Sequence, residues 1–426
     1  MSDAMLQPEL EAMSRDQLAA LQLSRLRETA RRACENNAGY RERFRQAGVG
    51  PEDIRDLSDL ARLPVIDKEV FRLSYPAGLL CGDMREIREM HMSSGSTGTP
   101  IAMLYTREDL EQWAECMARC YRMAGCRPGD PVQITPSFGL FNGGFGMYHG
   151  ARRAGLFIIP TGAGNTARQI RLARDFHTRA LGGVVSYGIR ILEELLRLGE
   201  SLPDLGIGIF GAETFSQGMK EKLAAGLGVE VFDIYGMTET GGVGTLGQDC
   251  REHAGIHVWE DHYIVEVLDP ASRKPVPDGK AGELYVTSLT RLAMPVIRFR
   301  TGDLTRVLSR GTCACGRTHL RLEPISGRAD DMLIIKGINF FPSQVEQALM
   351  EIPGVLPNYQ IIIRDVQGVK DARINVEAEA SVTGFMVEKH LKERLGFSPK
   401  GDVFPPGSLP RQEGKAVRVI HESGSE

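Results

Sequence analysis

The sequence has little of what marks a membrane, secreted or nucleic-acid-binding protein. No run of 18 or more apolar residues occurs in its 426 residues, so no segment has the length of a membrane span. The first twenty residues carry acidic side chains and lack the basic start and apolar run of a secretory signal. A net charge of −4 gives no basic excess for nucleic acid. These absences predict a cytoplasmic globular protein that binds neither membrane nor nucleic acid.

Cysteine is also scarce, because eight residues in so long a chain are too few for a disulfide scaffold. One group is an exception: Cys250 precedes His257, and Cys313 and Cys315 flank a single alanine. These four residues stand at opposite ends of a predicted β subdomain and could meet in a Cys₃His site, the closed geometry of structural zinc, with His253 as a substitute for His257. The alternative is a set of free cysteines.

Short apolar runs alternate with helical stretches between residues 132 and 233, after two predicted amphipathic helices over residues 5–47. This alternation predicts right-handed βαβ units and a parallel sheet, in which ligands bind beyond the carboxyl ends of the strands. From about residue 255 the pattern becomes strict alternation with hairpin turns, which predicts an antiparallel β subdomain.

The last hundred residues have a different pattern, which predicts a small α+β unit. A strand is expected over 332–335, followed by a helix over 342–351, strands over 358–363 and 373–380, and a helix over 383–395. The chain exceeds the size at which single cores stop growing, so two domains are expected. We predict an α/β fold with a large N-terminal domain, residues 1–329, and a small mobile C-terminal domain, residues 330–426.

A loop of small and hydroxyl-bearing residues, Ser93 to Pro100, has the composition of an anion-binding loop. Its glycines allow close backbone approach, and its N–H groups and hydroxyls can surround a polyphosphate. A flexible linker has the same composition, so the loop alone leaves that alternative open. The spacing and the lysine of a Walker loop are missing, so a cation must come from elsewhere in the chain.

Four further motifs follow that loop in order. They are Tyr235-Gly236-Met237-Thr238-Glu239, Arg300-Thr301-Gly302-Asp303, Gly327-Arg328-Ala329-Asp330 and a late lysine in Pro410-Arg411-Gln412-Glu413-Gly414-Lys415. The ordered set resembles the adenylate-forming superfamily of acyl-CoA synthetases. The amino-acid sequences of residues 141–146, 257–262 and 330–343 are similar to those of the phenylacetate–CoA ligase family. The resemblance implies that a carboxylate attacks the α-phosphate of ATP to give an acyl-adenylate, and that coenzyme A then forms a thioester.

The resemblance also implies roles for single residues. Glu239 would hold Mg²⁺, Thr238 would donate to the α-phosphate, and Lys415 would be the adenylation cation. Asp303 would accept both ribose hydroxyls, and Arg328 would serve phosphate or ribose. The remaining implied ATP-binding residues are Ser93, Ser94, Gly95, Ser96, Thr97, Gly98, Gly211, Ala212, Glu213, Asp233, Tyr235 and Gly236. One cation is missing, because Thr99 stands where relatives commonly carry lysine.

A rotation of the C-terminal domain between the two half-reactions is part of the same resemblance. Asp330 matches the hinge position, and Gly337 would line the pantetheine tunnel after rotation. We therefore predict that Lys415→Ala removes adenylation yet spares thioester formation from preformed acyl-adenylate.

Aromatic residues beside glycines, over residues 138–148, are the candidate acid pocket. The residues are Phe138, Phe141, Gly143, Gly144, Phe145 and Tyr148. Small glycines next to rings would make a flat slot, which favours an aryl or arylacetic acid. The alternative is that these aromatics belong to the core.

Three functional readings remain open from the sequence. The first is an aryl acid–CoA ligase, and the second transfers the same acyl group to the phosphopantetheine of an acyl carrier protein or to another nucleophile. The third is a non-catalytic nucleotide-binding regulator, against which the joint presence of Lys415, Glu239 and Asp303 argues. A homodimer is a further expectation.

Overall fold

The computed structural model describes residues 4–93, 100–335, 338–366, 369–396, 399–411 and 416–422. Its helices are α1 (Pro8–Glu11), α2 (Arg15–Asn36), α3 (Ala38–Ala47), α4 (Lys68–Leu73), α5 (Arg107–Met123), α6 (Asn142–Arg153), α7 (Thr166–Asp175), α8 (Val185–Leu198), α9 (Gln217–Leu227), α10 (Pro342–Met350) and α11 (Gly384–Leu395). None of the helices in these described ranges combines the length and apolarity needed to cross a bilayer.

The strands are given in the same chain order. They are β1 (Glu89–Met92), β2 (Ala102–Tyr105), β3 (Pro131–Ile134), β4 (Phe157–Ile159), β5 (Ala180–Val184), β6 (Ile207–Gly211), β7 (Glu230–Tyr235), β8 (Gly247–Asp249), β9 (Ile256–Val258), β10 (Tyr263–Leu268), β11 (Gly282–Ser288), β12 (Phe299–Thr305), β13 (Val307–Ser309), β14 (Arg321–Leu322), β15 (Gly327–Arg328), β16 (Leu333–Ile335), β17 (Ile338–Phe340), β18 (Val355–Val366), β19 (Val369–Ala378), β20 (Lys400–Phe404) and β21 (Val419–Glu422).

The N-terminal region forms three helices where the sequence predicted two. Ser14 caps α2 in a capping box with Gln17, and the side chain of Asn37 caps α3. Each cap satisfies backbone N–H groups that the first turn of a helix leaves without a partner. Leu18 and Leu26 of α2 are fully buried, so this helix is an integral part of the large domain.

The predicted parallel sheet is confirmed and forms the centre of the large domain. Strands β4, β3, β5, β6 and β7 lie side by side and are all parallel. Helices α6 to α9 connect them, as alternating strands and helices require. The strand order places the carboxyl ends of β6 and β7 next to each other, and the predicted motifs at 211–213 and 235–239 follow those two ends.

Antiparallel strands continue this sheet beyond β7, which the sequence did not predict. Strands β8, β9, β14 and β13 extend it to nine strands. The predicted antiparallel subdomain is a separate sheet of four strands, in the order β10, β11, β12 and β15. Its last two strands pair Asp303 with Arg328, so residues from two separate motifs become neighbours.

The C-terminal domain carries its own sheet, in the order β20, β19, β18 and β21, with α10 and α11 packed on it. Every helix and strand predicted for this region is present, with ends shifted by a few residues. An apolar cluster continues from Leu223 of α9 to Val345 and Leu349 of α10, so the two domains are in direct contact. The position of the domain boundary at residue 330 stays a prediction.

Candidate active site

A cavity of about 860 Å³ lies beyond the carboxyl ends of β6 and β7, between the two domains. Its wall contains most of the predicted nucleotide-site residues that the structure describes, together with residues of the C-terminal domain such as Glu346 and Tyr359. The predicted residues on the wall are Ser93, Ala212, Glu213, Asp233, Tyr235, Gly236, Thr238, Glu239, Asp303, Arg328 and Asp330. Motifs separated by more than a hundred residues therefore converge on one space.

The remaining predicted nucleotide-site and hinge residues fall into two groups. Ser94, Gly95, Ser96, Thr97, Gly98, Gly337 and Lys415 lie outside the described residues. Gly211 directly precedes the wall residue Ala212 in sequence and does not itself line the cavity. A Cβ added to Gly211 would be 2.3 Å from the carbonyl oxygen of Ile234. That close approach of β6 to β7 requires glycine at this position.

Asp303 is the centre of a hydrogen-bonded group at one end of the cavity. Tyr235 donates its hydroxyl to Asp303 Oδ2 at 2.6 Å, and Arg328 Nη1 donates to Oδ1 at 2.9 Å. Arg328 also holds Asp330, at 2.9 Å from Nε and 2.8 Å from Nη2. Burial raises the pKa of Asp303, and the Arg328 charge opposes that rise. Each carboxylate oxygen keeps a second lone pair, so Asp303 can still accept from hydroxyl groups of a ligand.

Thr238 and Glu239 lie in a short 3₁₀-helix, Thr238–Thr240, immediately after β7. The Glu239 side chain is almost completely buried, and burial raises the pKa of its carboxyl group. Thr238 Oγ1 accepts a hydrogen bond from Asn142 Nδ2 at 2.8 Å, which ties this turn to the first residue of α6. A carboxylate that has lost its water favours a cation as a partner.

Lys68 supplies a positive charge that the sequence analysis missed. Its ammonium nitrogen lies 4.0 Å from Glu239 Oε1, and its side chain lines the cavity. Lys68 is the first residue of α4, which Asp67 caps. No motif surrounds it, and its approach to Glu239 depends on how the N-terminal region packs, including the bridge from Ile66 to Phe299. One indication of such a residue was present in the sequence: Thr99 stands where relatives commonly carry lysine, so a cation had to come from elsewhere in the chain.

The segment Gly211–Glu213 has the backbone of a specialised turn. Ala212 has a φ of 64°, which few residues other than glycine adopt and which is common at functional sites. Glu213 accepts from Ser186 N at 2.8 Å and Ser186 Oγ at 3.0 Å. The same carboxylate accepts from Ala416 N, in the C-terminal domain, at 2.5 Å. Glu213 therefore joins the two domains at the cavity wall, and its predicted part in ATP binding stays a prediction.

Asp233 faces the cavity from β7 beside a second carboxylate. Burial, with the charge of Asp249, raises the pKa of Asp233 to about 8. Asp249 accepts from the backbone N–H of Asp233 at 2.7 Å and is itself paired with Lys220 Nζ at 2.5 Å and His253 Nδ1 at 2.8 Å. Asp233 is thus neutral over much of the physiological range and can donate as well as accept a hydrogen bond.

The predicted acid-pocket residues lie behind the cavity rather than on its wall. Phe138 packs edge-on against Phe145 at 5.6 Å and against Tyr148 at 6.4 Å between ring centroids, whereas Phe141 is about half exposed. Of the predicted set, Phe138, Phe141, Gly143, Gly144, Phe145 and Tyr148, no member lines the cavity formed by the described residues. The acid pocket therefore stays a prediction.

Gly144 has a packing role that the flat-slot argument did not anticipate. A Cβ at this position would lie 2.6 Å from the carbonyl oxygen of Ser137, so α6 can approach that backbone only without a side chain. The aromatic cluster continues to His91 and His149, whose Nε2 atoms lie 3.2 and 3.1 Å from Glu89 Oε2. Although Glu89 is partly buried, these two hydrogen bonds lower the pKa of its carboxyl group to about 2.

The predicted cysteine and histidine residues also come together. The ligand atoms of Cys250, His257, Cys313 and Cys315 all lie within 4.8 Å of one another. The Cys250 and Cys313 sulfurs are 3.8 Å apart, and Cys315 Sγ is 3.6 Å from His257 Nε2. A tetrahedral zinc with bonds of about 2.3 Å separates its ligand atoms by about 3.7 Å, so the spacing fits zinc.

Arginine side chains surround these sulfurs. Arg317 Nη1 lies 3.6 Å from Cys315 Sγ, and Arg321 Nη1 lies 3.8 Å from Cys313 Sγ. Donors of this kind stabilise thiolates, the form in which cysteine binds zinc. His253 is paired with Asp249 and Glu230 instead, so His257 is the histidine of the cluster.

Comparison with known proteins defines the class to which this fold and site belong. The family model described as AMP-binding enzyme matches residues 84–291, and the AMP-binding enzyme C-terminal domain matches residues 337–423. The first match contains the motifs of β6 and β7, and the second covers most of the domain that closes the cavity. The protein is an AMP-forming acid–thiol ligase.

Full-length relatives narrow the class to a family. The phenylacetate-coenzyme A ligase of Thermus thermophilus is 38% identical over 98% of this chain and 99% of its own length. The phenylacetate-coenzyme A ligase of Escherichia coli is 39% identical, with 96% of each chain covered. The chain belongs to the phenylacetate–CoA ligase family.

Solved structures of 2-hydroxyisobutyryl-CoA ligase share the fold in two different arrangements. The postadenylation state in complex with 2-HIB-AMP gives a TM-score of 0.91 at 29% identity, covering 97% of this chain and 92% of that one. The thioesterification state in complex with 2-HIB-AMP and CoA gives 0.73 at 29% identity, covering 98% and 92%. At equal identity and coverage, this chain therefore has an arrangement similar to the postadenylation state.

Proposed function

We propose that this protein activates an aromatic carboxylic acid with ATP and transfers the acyl group to coenzyme A, with phenylacetate as the first candidate acid. The observation that carries the proposal is the convergence of Tyr235, Glu239, Asp303 and Arg328 on one cavity in a chain of this family. The aromatic residues around α6 adjoin that cavity through Asn142 and support an acid with a ring.

The reaction has two steps in this proposal. A carboxylate oxygen bonds to the α-phosphorus of ATP, the bond from that phosphorus to pyrophosphate breaks, and pyrophosphate leaves with the electron pair. The sulfur of coenzyme A then bonds to the acyl carbon, AMP leaves with the electrons of the acyl–oxygen bond, and the thiol proton passes to solvent. In the first step two anions meet, so neutralising their charge is the main task of the protein.

The cavity residues have separate roles in binding the nucleotide and in neutralising its charge. Asp303 accepts from the ribose hydroxyls, and Arg328 keeps that carboxylate oriented and charged. Glu239 would hold Mg²⁺, because its buried carboxylate fits a cation, and the ion would neutralise phosphate charge there. Lys68, close to Glu239, supplies the phosphate-binding charge that Thr99 does not. Lys415 keeps its implied role as the adenylation cation.

Pyrophosphate release with ATP and Mg²⁺ over a panel of acids tests this function. The panel contains benzoic, hydroxy- and aminobenzoic, phenylacetic and cinnamic acids, each with and without coenzyme A, and products are identified by mass spectrometry. Formation of phenylacetyl-CoA is the expected result. Acyl-AMP that coenzyme A does not consume would replace the ligase with transfer to a carrier protein. Pyrophosphate release with none of the acids would favour the regulator.

We further propose that the Cys250, His257, Cys313 and Cys315 cluster holds a structural zinc ion. The spacing of its ligand atoms and the arginine donors around its sulfurs support this assignment. Its ligands lie away from the cavity wall, so the metal acts on stability rather than on chemistry. The homodimer, the cytoplasmic location and the domain boundary at residue 330 are kept as predictions.

A further inference from the structure

Arg411 connects the two domains through two carboxylates. Its guanidinium donates to Glu377 of β19, in its own domain, at 2.8 Å from Nη1 and 2.7 Å from Nη2. It also donates to Glu193 of α8, in the large domain, at 3.0 Å from Nε and 2.8 Å from Nη2. Glu377 is fully buried, whereas Glu193 is only partly exposed. The carboxylate of Glu377 thus fixes the planar guanidinium of Arg411 in the orientation in which it can pair with Glu193.

A second contact lies five residues further along the chain. The backbone N–H of Ala416 donates to Glu213 Oε1 at 2.5 Å, and Glu213 is itself held by Ser186 in the large domain. Arg411 and Ala416 are the described residues on either side of 412–415, the segment that contains Lys415. Both flanks of the segment with the adenylation lysine are therefore attached to the large domain.

The attachment at Glu193 belongs to one arrangement of the domains. Glu377 and Arg411 are in the same domain, so their pair persists when that domain moves. Glu193 is in the other domain, so its pair with Arg411 depends on the arrangement described here, which is similar to the postadenylation state and different from the thioesterification state.

We propose that the adenylate forms in the domain arrangement described above, which is similar to the postadenylation state and is called the adenylation arrangement. Glu193 and Arg411 form a domain clasp that holds the C-terminal domain in this arrangement. Both are positioning residues, because they act on Lys415 through the chain and touch no reacting atom. The clasp rests on the proposed function, and its effect falls on the first half-reaction alone. Loss of the clasp shifts the population away from the adenylation arrangement and leaves the thioesterification arrangement as competent as before.

The size of the effect follows from the exposure of the pair. A partly exposed ion pair with two hydrogen bonds contributes more than an ordinary surface pair, so we expect adenylation to slow about five- to tenfold without Glu193. Glu193→Gln is the variant to use, because glutamine keeps the size of the side chain and one oxygen that accepts from Asn358. It removes the charge and replaces the oxygen that accepts from Arg411 Nε with an NH₂ donor.

A matched control stands next to it on the same helix. Glu194 pairs with Arg197 inside α8, and no hydrogen bond or ion pair joins it to the C-terminal domain among the described residues. Glu194→Gln therefore makes the same change of charge at the same place in the chain without touching the clasp.

The test measures the two half-reactions separately for wild type, Glu193→Gln, Glu194→Gln, Arg411→Gln and the double variant Glu193→Gln/Arg411→Gln. Single-turnover pyrophosphate release from ATP and phenylacetate, without coenzyme A, reports adenylation. Thioester formation from synthetic phenylacetyl-AMP and coenzyme A reports the second step. If the wild type converts another acid of the panel faster, that acid and its adenylate replace phenylacetate in both assays.

The clasp predicts a five- to tenfold loss of adenylation for Glu193→Gln, with thioester formation within about twofold of wild type and Glu194→Gln unchanged in both. Arg411→Gln should give at least the same loss, and the double variant should lose no more than Arg411→Gln. Equal loss of both half-reactions would mean a merely structural pair, and no difference between Glu193→Gln and Glu194→Gln would overturn the clasp. A wild type inactive with every acid would instead refute the proposed function itself.

Discussion

The cavity and the cysteine cluster bring distant residues together in two different ways. At the cavity, buried or half-buried charged groups surround about 860 Å³ of open space. At the cluster, four ligand atoms within 4.8 Å of one another leave room for nothing larger than an ion. Both regions contain residues of the antiparallel strands that follow the parallel strands in the chain. The difference teaches that polar groups arranged around an open space can bind a substrate, whereas four ligand atoms that converge on one point can hold only an ion.

The two regions also differ in how their charges are satisfied. In the cavity, burial raises the pKa values of Glu239 and Asp303. Lys68 and Arg328 already face these carboxylates, whose remaining lone pairs can accept a cation or a donor from a substrate complex. In the cluster, arginine N–H groups already contact two of the sulfurs. Variants that remove a phosphate-site charge, such as Lys68→Met, should therefore change activity more than stability, and variants of the cluster should do the reverse.

The largest effect is expected for Lys415→Ala. Loss of a cation at a developing negative charge typically costs a factor of about 10²–10³, so pyrophosphate release should fall by that factor. Thioester formation from preformed phenylacetyl-AMP should stay within about threefold of wild type, because its chemistry does not use this cation. Rapid-quench measurement of both half-reactions checks the split. Equal loss of both would reject the division of labour between the two domain arrangements.

Cys315→Ser should have the next largest effect, on stability alone. Wild type should contain about one zinc per chain after gentle purification, and the variant should lose most of it, with the free energy of unfolding lower by about 3 kcal/mol or more. Cys34→Ser is the control, since Cys34 is another partly buried thiol but lies outside the cluster. Metal analysis and denaturant unfolding measure the outcome. Less than about 0.5 zinc in wild type would count against the metal site.

Lys68→Met should reduce the rate of adenylation by about tenfold and raise the ATP concentration needed for half-maximal rate. The methionine keeps the length of the side chain and removes the charge close to Glu239. Lys280→Met, in an exposed turn, is the control and should behave as wild type. Initial rates of pyrophosphate release over a range of ATP concentrations measure both the rate and its ATP dependence. An unchanged rate and unchanged ATP dependence would remove Lys68 from the phosphate site.

The smallest effect is expected from Asp233→Asn, as a change in the pH dependence of stability. The pKa of Asp233 rises from 3.8 to about 8 on folding, so the native state holds a proton that the unfolded chain releases. The resulting stability is complete below pH 3.8 and disappears as the pH rises through about 8.

Between pH 6 and 8, wild type should lose about 1–2 kcal/mol relative to Asp233→Asn, because the ideal slope of about 1.4 kcal/mol per pH unit is reduced by water in the cavity. Unfolding midpoints measured at several pH values give the difference. Asp175→Asn, at the exposed end of α7, is the control and should keep the wild-type slope. Parallel curves for wild type and Asp233→Asn would show that Asp233 is charged in the native protein.

Local patterns were enough to predict most of the fold. The runs that became β3 to β7 are short and apolar and are separated by helical stretches, so the parallel sheet follows from the chain itself. The N-terminal region has three helices where two were predicted, because Ser14 and Asn37 begin separate helices and the four-residue α1 is too short to show a helical period. Strands β8 and β9 were missed because three residues carry little periodicity and their pairing depends on distant partners.

The site was predictable wherever a motif carried the residue. Tyr235, Glu239, Asp303 and Arg328 were found in this way, and the structure brings them to one wall. Lys68 and the Glu193–Arg411 pair were not found, because each contact joins segments far apart in sequence and no local pattern encodes it. The packing role of Gly144 was not found either, since the backbone that requires its small size belongs to the preceding loop. Its predicted place in the acid pocket stays a prediction.

The central claim is that the cavity forms an acyl-adenylate and releases it only to a thiol. The most direct measurement mixes the protein with ATP, Mg²⁺ and phenylacetate in excess over the protein, without coenzyme A, then quenches and quantifies bound phenylacetyl-AMP by mass spectrometry before and after coenzyme A is added. We predict about one phenylacetyl-AMP per active chain, released pyrophosphate in equal amount, and complete conversion to phenylacetyl-CoA within one turnover. Release of phosphate and ADP in place of pyrophosphate and AMP, or an adenylate that coenzyme A leaves untouched, would contradict the account.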